Sequence, residues 1–467
     1  MTLFIGLLMV YAAFWVGPLG VLDLYEYAEN AEHLWLDLRW DMHRTPPDSP
    51  YSRFSIGLPI LSGPFVYAGE LVQWLSGGAV GRRWVMATIS PLAMAAACLL
   101  LERIALMLGH APSMARWSAI ILGVSGAALF YTRFFFVEPV VGLFALGSIA
   151  ALLQAEAGRS RPAWLFACGV SAGLALMCHY SDLFLVAGLG LVYAYATMRR
   201  SSGSQRWRDL MQLAAGPIAI GALIMGMNWH NFGNPLRTGY SNFEENAQFF
   251  GFMRLWRNLK ALGLITAGAP WLVACLILAW RGRAVPGPWK WCASALLLAV
   301  ALQQLFWLTF KYYSWSPLRY EMPLLMVAAV GLPALACAVS QRWPRRGMVY
   351  VTLVLMLAGV ASFLGGNHDF HPPLVNDQED PMYPGQVTIG TWYARRAPFH
   401  LGRDYMLHAD GIEVGFVYPL TPVGPAQLTI LSTLLTLAAL LIRRSYALAA
   451  GRSIPNPGRP AEPTAAT

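Results

Sequence analysis

Charge is scarce in this chain: Asp, Glu, Lys and Arg make up 12% of 467 residues, against 57% hydrophobic, and the mean hydropathy is +0.48. A water-soluble core of this size leaves no place for so much apolar surface, so a soluble globular fold is excluded. Cysteine is scarce too. The six cysteines (98, 168, 178, 275, 292 and 337) all fall in apolar segments and form no CxxC spacing, which excludes both a disulfide framework and a zinc site of cysteine type. The N-terminal apolar run lacks a basic leader and a small-residue cleavage site, and is expected to be a retained signal-anchor. No internal repeat and no separate soluble domain is visible. The net charge of +9 does not point to nucleic acid. Its basic residues sit in short runs between apolar spans, as in Arg199, Arg200, Arg206 and Arg208 or Arg342, Arg345 and Arg346, where they act as cytoplasmic anchors.

What is present is a succession of apolar segments of membrane-crossing length. They recur at 2–22, 85–106, 115–133, 137–155, 163–180, 182–198, 210–228, 264–280, 289–310, 323–341, 348–366 and 425–442. The expected fold is therefore an all-α polytopic membrane protein, a bundle of about twelve transmembrane helices. Basic residues in the short loops 199–208, 281–290, 342–347 and from 443 onward put both termini in the cytoplasm. The stretch 55–80 is apolar but broken by Gly57, Pro59, Gly63 and Pro64, and is read as a juxtamembrane helix at the interface. Long outward loops follow at 23–84, 229–263 and 367–424, and the tail 443–467 is cytoplasmic and partly disordered. The domain reading is a transmembrane catalytic module over 1–366, an outward loop over 367–424, a last helix over 425–442, then the tail.

Polar residues gather at the outer ends of these spans. Asp23 follows directly on the first apolar segment, and on a helix starting there Asp23, Glu26 and Tyr27 share one side. The alternative is that Asp23 caps the helix. Glu26, Glu29 and Glu32 are read as a solvated helix face. Arg133 and Glu138 lie in a short connection at the outer membrane edge, either as an ion pair or with Glu138 as a second carboxylate near Asp23. Cys178-His179-Tyr180-Ser181-Asp182 is a polar break in which His179 can contact a phosphate or move a proton, or in which Ser181 and Asp182 merely cap a helix. The segment from Asn228 to Tyr240 mixes turn residues with aromatic and amide groups suited to sugar. Lys311 and Arg319 bracket a short outward loop that can hold a lipid phosphate, or else snorkel to the interface.

Taken in order, these stretches resemble the GT-C superfamily of integral-membrane glycosyltransferases, in particular bacterial relatives of the aminoarabinose and protein O-mannosyl transferases. The family's first outward loop often opens Asp-Glu-x-x-Tyr-Ala-Glu-x-Ala. Here it reads Asp23-Leu24-Tyr25-Glu26-Tyr27-Ala28-Glu29-Asn30-Ala31, with Leu24 in place of the second carboxylate and Glu26 where an Arg is common. The stretch Tyr51-Ser52-Arg53-Phe54-Ser55-Ile56-Gly57-Leu58-Pro59 resembles the family's Tyr-Pro-x-Gly segment, and Phe136-Val137-Glu138-Pro139 its Ser-Glu-Pro element. Asn231 to Tyr240 and Ser316-Pro317-Leu318-Arg319-Tyr320 resemble two further patterns of bacterial members, so that the likeness runs over about residues 1–340.

The resemblance implies transfer of one sugar from a polyprenyl-phosphate donor to an acceptor hydroxyl, inverting, at the outer face of the bacterial cytoplasmic membrane. The acceptor is a glycan, a lipid or a protein. Asp23 is then the general base, with Glu138 beside it. Arg319, Lys311, Arg133 and His179 answer the charge on the leaving phosphate, and Tyr27, Arg53 and Tyr240 are further substrate contacts. A divalent cation (Mg²⁺, Mn²⁺ or Ca²⁺) held by Asp23 and Glu138 belongs to some members of the superfamily. A transporter or flippase of a lipid-linked sugar is the alternative, but it would place its charges at the bilayer midplane rather than at the outer ends.

Overall fold

In a computed structural model of the protein, residues 1–15, 22–41, 55–238 (except 79, 133–134 and 159), 317–343, 347–357 (except 356), 402–407, 413–418 and 425–450 are described. The first apolar run is helical as α1 (Thr2–Phe14), and α2 (Leu22–Leu36) begins where the acidic sequence begins. The broken stretch after it folds as two short helices, α3 (Gly57–Leu61) and α4 (Gly63–Leu75). Pro64 opens α4 at a position where a missing N–H costs nothing. With 13 residues α4 is about 20 Å long, too short to cross a bilayer. It buries Gly63, Val66 and Gly69 and exposes Tyr67, Leu71, Trp74 and Leu75, the arrangement of a helix lying along a membrane surface.

The bundle proper starts with α5 (Arg82–Met86) and α6 (Ile89–Met107), then α7 (Pro112–Gly123), α8 (Gly126–Tyr131), α9 (Glu138–Glu156), α10 (Arg161–Cys178), α11 (Leu183–Arg200) and α12 (Gly203–Phe232). Later come α13 (Pro317–Ala328), α14 (Leu332–Arg342) and α15 (Pro425–Ala450). Among the described residues five stretches are long and apolar enough to cross a membrane: Arg82–Met107, Glu138–Glu156, Arg161–Cys178, Gly203–Phe232 and Met322–Arg342. The chain is an integral membrane protein. The spans expected over 264–280 and 289–310 lie outside the described residues.

Two boundaries differ from expectation. The span expected over 115–133 is two helices, α7 and α8, separated at Val124 and Ser125. The last helix runs on to Ala450 rather than ending at 442, because Arg116 reaches it with a hydrogen bond to Ser445 and so fixes a turn that the sequence assigns to the tail. The all-α expectation is also incomplete. Within the 367–424 loop, β1 (Gly402–Leu407) pairs antiparallel with β2 (Glu413–Tyr418), Gly402 opposite Tyr418 and Leu407 opposite Glu413. Tyr405, Val414, Phe416, Val417 and Tyr418 are strand-favouring types that a reading for helix-length apolar runs passes over.

Glycine sets the tightest crossing. Carbon atoms added at Gly169 of α10 and Gly216 of α12 would run into the facing backbone at Leu213 and Val170, so the two helices approach by main chain. At their ends Asp209 of α12 accepts from Arg161 Nε (2.8 Å), Ser201 Oγ and Gln205 Nε2 (2.6 Å), binding three helices at one point. Helices α6 and α9 run parallel, with Ser90 Oγ donating to the Phe136 carbonyl (2.7 Å) at their starts and Gln154 Nε2 beside Met107 Sδ (3.0 Å) at their ends. α12 exposes Trp207, Met211, Ile218, Leu223, Met225 and Trp229. The two tryptophans are 22 positions apart, about 33 Å along the axis, which matches an aromatic residue at each face of a bilayer.

Gly216→Val is expected to lower stability by about 1–3 kcal/mol by forcing α10 and α12 apart, read as a lower melting temperature in detergent. Gly221→Ala, on the same helix with open space around it, should leave that temperature unchanged or raise it slightly.

Candidate functional site

The buried polar face of α2 forms one wall of the site. Glu26 is 0% exposed, Asn30 is 3% exposed, and Tyr27 is buried with them. Asp23 is the second residue of α2, inside its first turn. Nothing further is described of its side chain. On a helix of 100° per residue Glu26 and Tyr27 flank the azimuth of Asp23, and Asn30 comes back beneath it seven positions on.

The solvated-face reading of Glu26 and Glu32 is overturned. Glu32 is buried because Arg82 and Arg83 converge on it, Arg82 Nε at 2.9 Å from Oε1 and Arg83 Nη2 at 2.6 Å from Oε2. Arg82 also reaches Glu70 on α4 at 2.9 Å. This cluster joins α2, α4 and α5, and the sequence could not show it, since the partners lie 50 and 51 positions apart. Only Glu29, half-buried near His33, behaves as a helix-surface acid, its Oε1 3.9 Å from His33 Nε2. The indole of Trp35 donates to the Pro59 carbonyl (3.0 Å), and the Tyr67 hydroxyl donates to the Trp35 carbonyl (2.8 Å). Gly63 lies against the Trp35 ring, where a side chain has no room.

A second wall comes from the 178–182 break. Ser55 sits between Tyr27, whose hydroxyl is 3.5 Å away, and the Cys178 carbonyl, to which Ser55 Oγ donates. Gly57 rests directly on the Met177–Cys178 backbone; a carbon added there would lie 2.5 Å from the Cys178 nitrogen. The first loop is thus docked on the end of α10. His179 and Asp182 are both buried, with Nδ1 2.7 Å from Oδ2. The capping reading of Asp182 fails: it makes no side-chain hydrogen bond to the start of α11 and holds the imidazole instead. Ser55 was missed as a site residue. The signal available was its place two residues before Gly57 in a stretch already noted.

Glu138 is 0% exposed in the first turn of α9, where the helix dipole favours a negative charge. Arg319 stands in the first turn of α13, the helix that packs on α9 by laying Met326 over Gly142. Its side chain is not described. Arg133, Lys311, Arg53 and Tyr240 lie outside the described residues. Among the described residues no three His, Cys, Asp or Glu side chains converge as a metal site. Of the pair that the resemblance implies for a cation, Glu138 is buried and the side chain of Asp23 is not described, and no step below is routed through a cation.

Residues 4–223 match the family model of dolichyl-phosphate-mannose-protein mannosyltransferase. The structure superposes on ArnT from Cupriavidus metallidurans, apo, with a TM-score of 0.52 at 17% identity, covering 94% of this chain and 73% of that one. For ArnT bound to undecaprenyl phosphate the TM-score is 0.50 at 15% identity, over 95% and 74%. The chain shares the fold of these ArnT structures. The oligosaccharyltransferase AglB from Archaeoglobus fulgidus, in complex with an inhibitory peptide and a dolichol-phosphate, gives 0.48 at 12% identity, over 81% and 56%. No curated protein sequence matches.

Ser55→Ala removes the donor to the buried Cys178 carbonyl. It is expected to cost about 1–3 kcal/mol, seen as a lower melting temperature; an unchanged temperature would contradict the docking of the first loop on α10.

Proposed function

We propose that the protein transfers a single sugar from a polyprenyl-phosphate donor to an acceptor hydroxyl at the outer face of the bacterial cytoplasmic membrane, with inversion at the anomeric carbon. The reading takes the whole bundle as about twelve membrane helices with both termini cytoplasmic. The observation that carries it is the buried polar wall of α2 in a fold shared with ArnT, which is known bound to undecaprenyl phosphate. The match of residues 4–223 to a mannosyltransferase family supports the same chemistry.

In this mechanism the acceptor oxygen attacks the anomeric carbon as the bond from that carbon to the phosphate oxygen breaks. The acceptor proton passes to the Asp23 carboxylate, and the electron pair of the breaking bond stays on the lipid phosphate. Arg319, Lys311 and Arg133 are the cations that answer the growing phosphate charge, joined by His179, which Asp182 holds in one orientation. Glu138, fixed at the start of α9, orients the acceptor beside Asp23. Tyr27, Arg53 and Tyr240 line the path of the sugar. The acceptor is a glycan, a lipid or a protein.

Asp23→Asn should keep the melting temperature and lower transfer from an undecaprenyl-phosphate-linked sugar by about 10²–10⁴-fold, the usual contribution of a positioned base. Wild-type turnover in that variant would sink the assignment. Arg319→Ala should raise the KM for the lipid donor more than that for the acceptor; equal effects would count against a phosphate contact.

A further inference from the structure

Asn30 is the least explained buried group in the described chain. Only 3% of it is exposed, and neither its amide nitrogen nor its amide oxygen has a hydrogen-bond partner among the described residues. A buried primary amide offers two donors and an acceptor oxygen, and leaving all of them empty is unfavourable. Such groups are rare in native structures, and a bound polar molecule is one of the things that satisfies them.

Position says what that is. Asn30 lies beneath Asp23 on α2, about 10 Å along the axis, with Glu26 and Tyr27 between them. One turn further on the same face is Leu34, buried and apolar, so the polar strip ends at Asn30. Two acidic positions on that strip disfavour an anion, which puts the lipid phosphate elsewhere. A neutral group that both accepts and donates hydrogen bonds suits an amide, and sugar hydroxyls are such groups. We infer that Asn30 binds hydroxyl groups of a sugar and sets which sugar the enzyme accepts. The inference rests on the transfer reaction proposed above. A site built to hydrogen-bond a hydroxyl rejects analogues lacking it far more strongly than an apolar pocket rejects a change of size.

Stability and binding should move in opposite directions, which separates this role from a merely structural one. Asn30→Leu replaces an empty amide by an apolar group of similar size, so its ligand-free melting temperature should rise or hold. The probes are undecaprenyl phosphate, undecaprenyl-phosphate-linked mannose, glucose and arabinose, and the methyl glycosides of those sugars. Wild-type protein should bind at least one sugar-bearing probe more tightly than its sugar-free counterpart. Asn30→Leu should lose tenfold or more of that affinity while binding undecaprenyl phosphate within twofold of wild type. Loss on the lipid-linked sugars assigns the hydroxyls to the donor; loss on the methyl glycosides assigns them to the acceptor. Asn30→Ser, smaller and still polar, serves if the leucine variant does not fold, and should lose less. Unchanged affinity for every sugar-bearing probe in the variants would overturn the role, as would a wild type indifferent to the sugar. The Asp23→Asn transfer assay fails independently if it is the proposed reaction that is wrong.

Discussion

Everything around the site depends on burying polar groups along one face of α2. Glu26, Tyr27 and Asn30 are withdrawn from solvent together, and such burial is tolerable only when the surroundings are fixed. Two attachments supply the fixing. Arg82 and Arg83 clamp Glu32 on the far side of the helix, and Ser55 with Gly57 presses the following loop onto the end of α10. Between those attachments the helix can be held with its polar face inward.

The same docking joins parts of the chain that the sequence keeps far apart. Ser55 reaches Cys178 across 123 positions, and the next residue, His179, is oriented by Asp182. Helix α2, through Tyr27 and Ser55, and the turn carrying His179 are thus joined. The glycine crossing of α10 on α12 and the Asp209 cluster hold α10 in turn, so the helix on which the loop rests is itself anchored.

Much of the fold was legible because apolar run length is a one-dimensional signal: the spans at 137–155, 163–180 and 323–341 appear within a few residues as α9, α10 and the Met322–Arg342 stretch. The α7–α8 break, the extension of α15 and the 402–418 hairpin were not, since each is set by local turns or distant partners rather than by length. At the site the sequence pointed to Tyr27, Glu138 and His179, all of them buried in the structure. It misjudged Glu26 and Glu32 as solvated, because charge spacing on a helix looks the same whether the helix is exposed or covered. Asn30 and Ser55 were not singled out, since a lone Asn or Ser has no pattern of its own; burial marks Asn30, and contacts with Tyr27 and Cys178 mark Ser55.

The most direct test is a cryo-EM structure of the full chain with an undecaprenyl-phosphate-linked sugar bound. The account predicts sugar density against the Asp23–Asn30 face of α2, with a hydroxyl within hydrogen-bond distance of the Asn30 amide and the phosphate turned away toward Arg319. Sugar density on another wall of the bundle, with Asn30 still covered by protein, would contradict it.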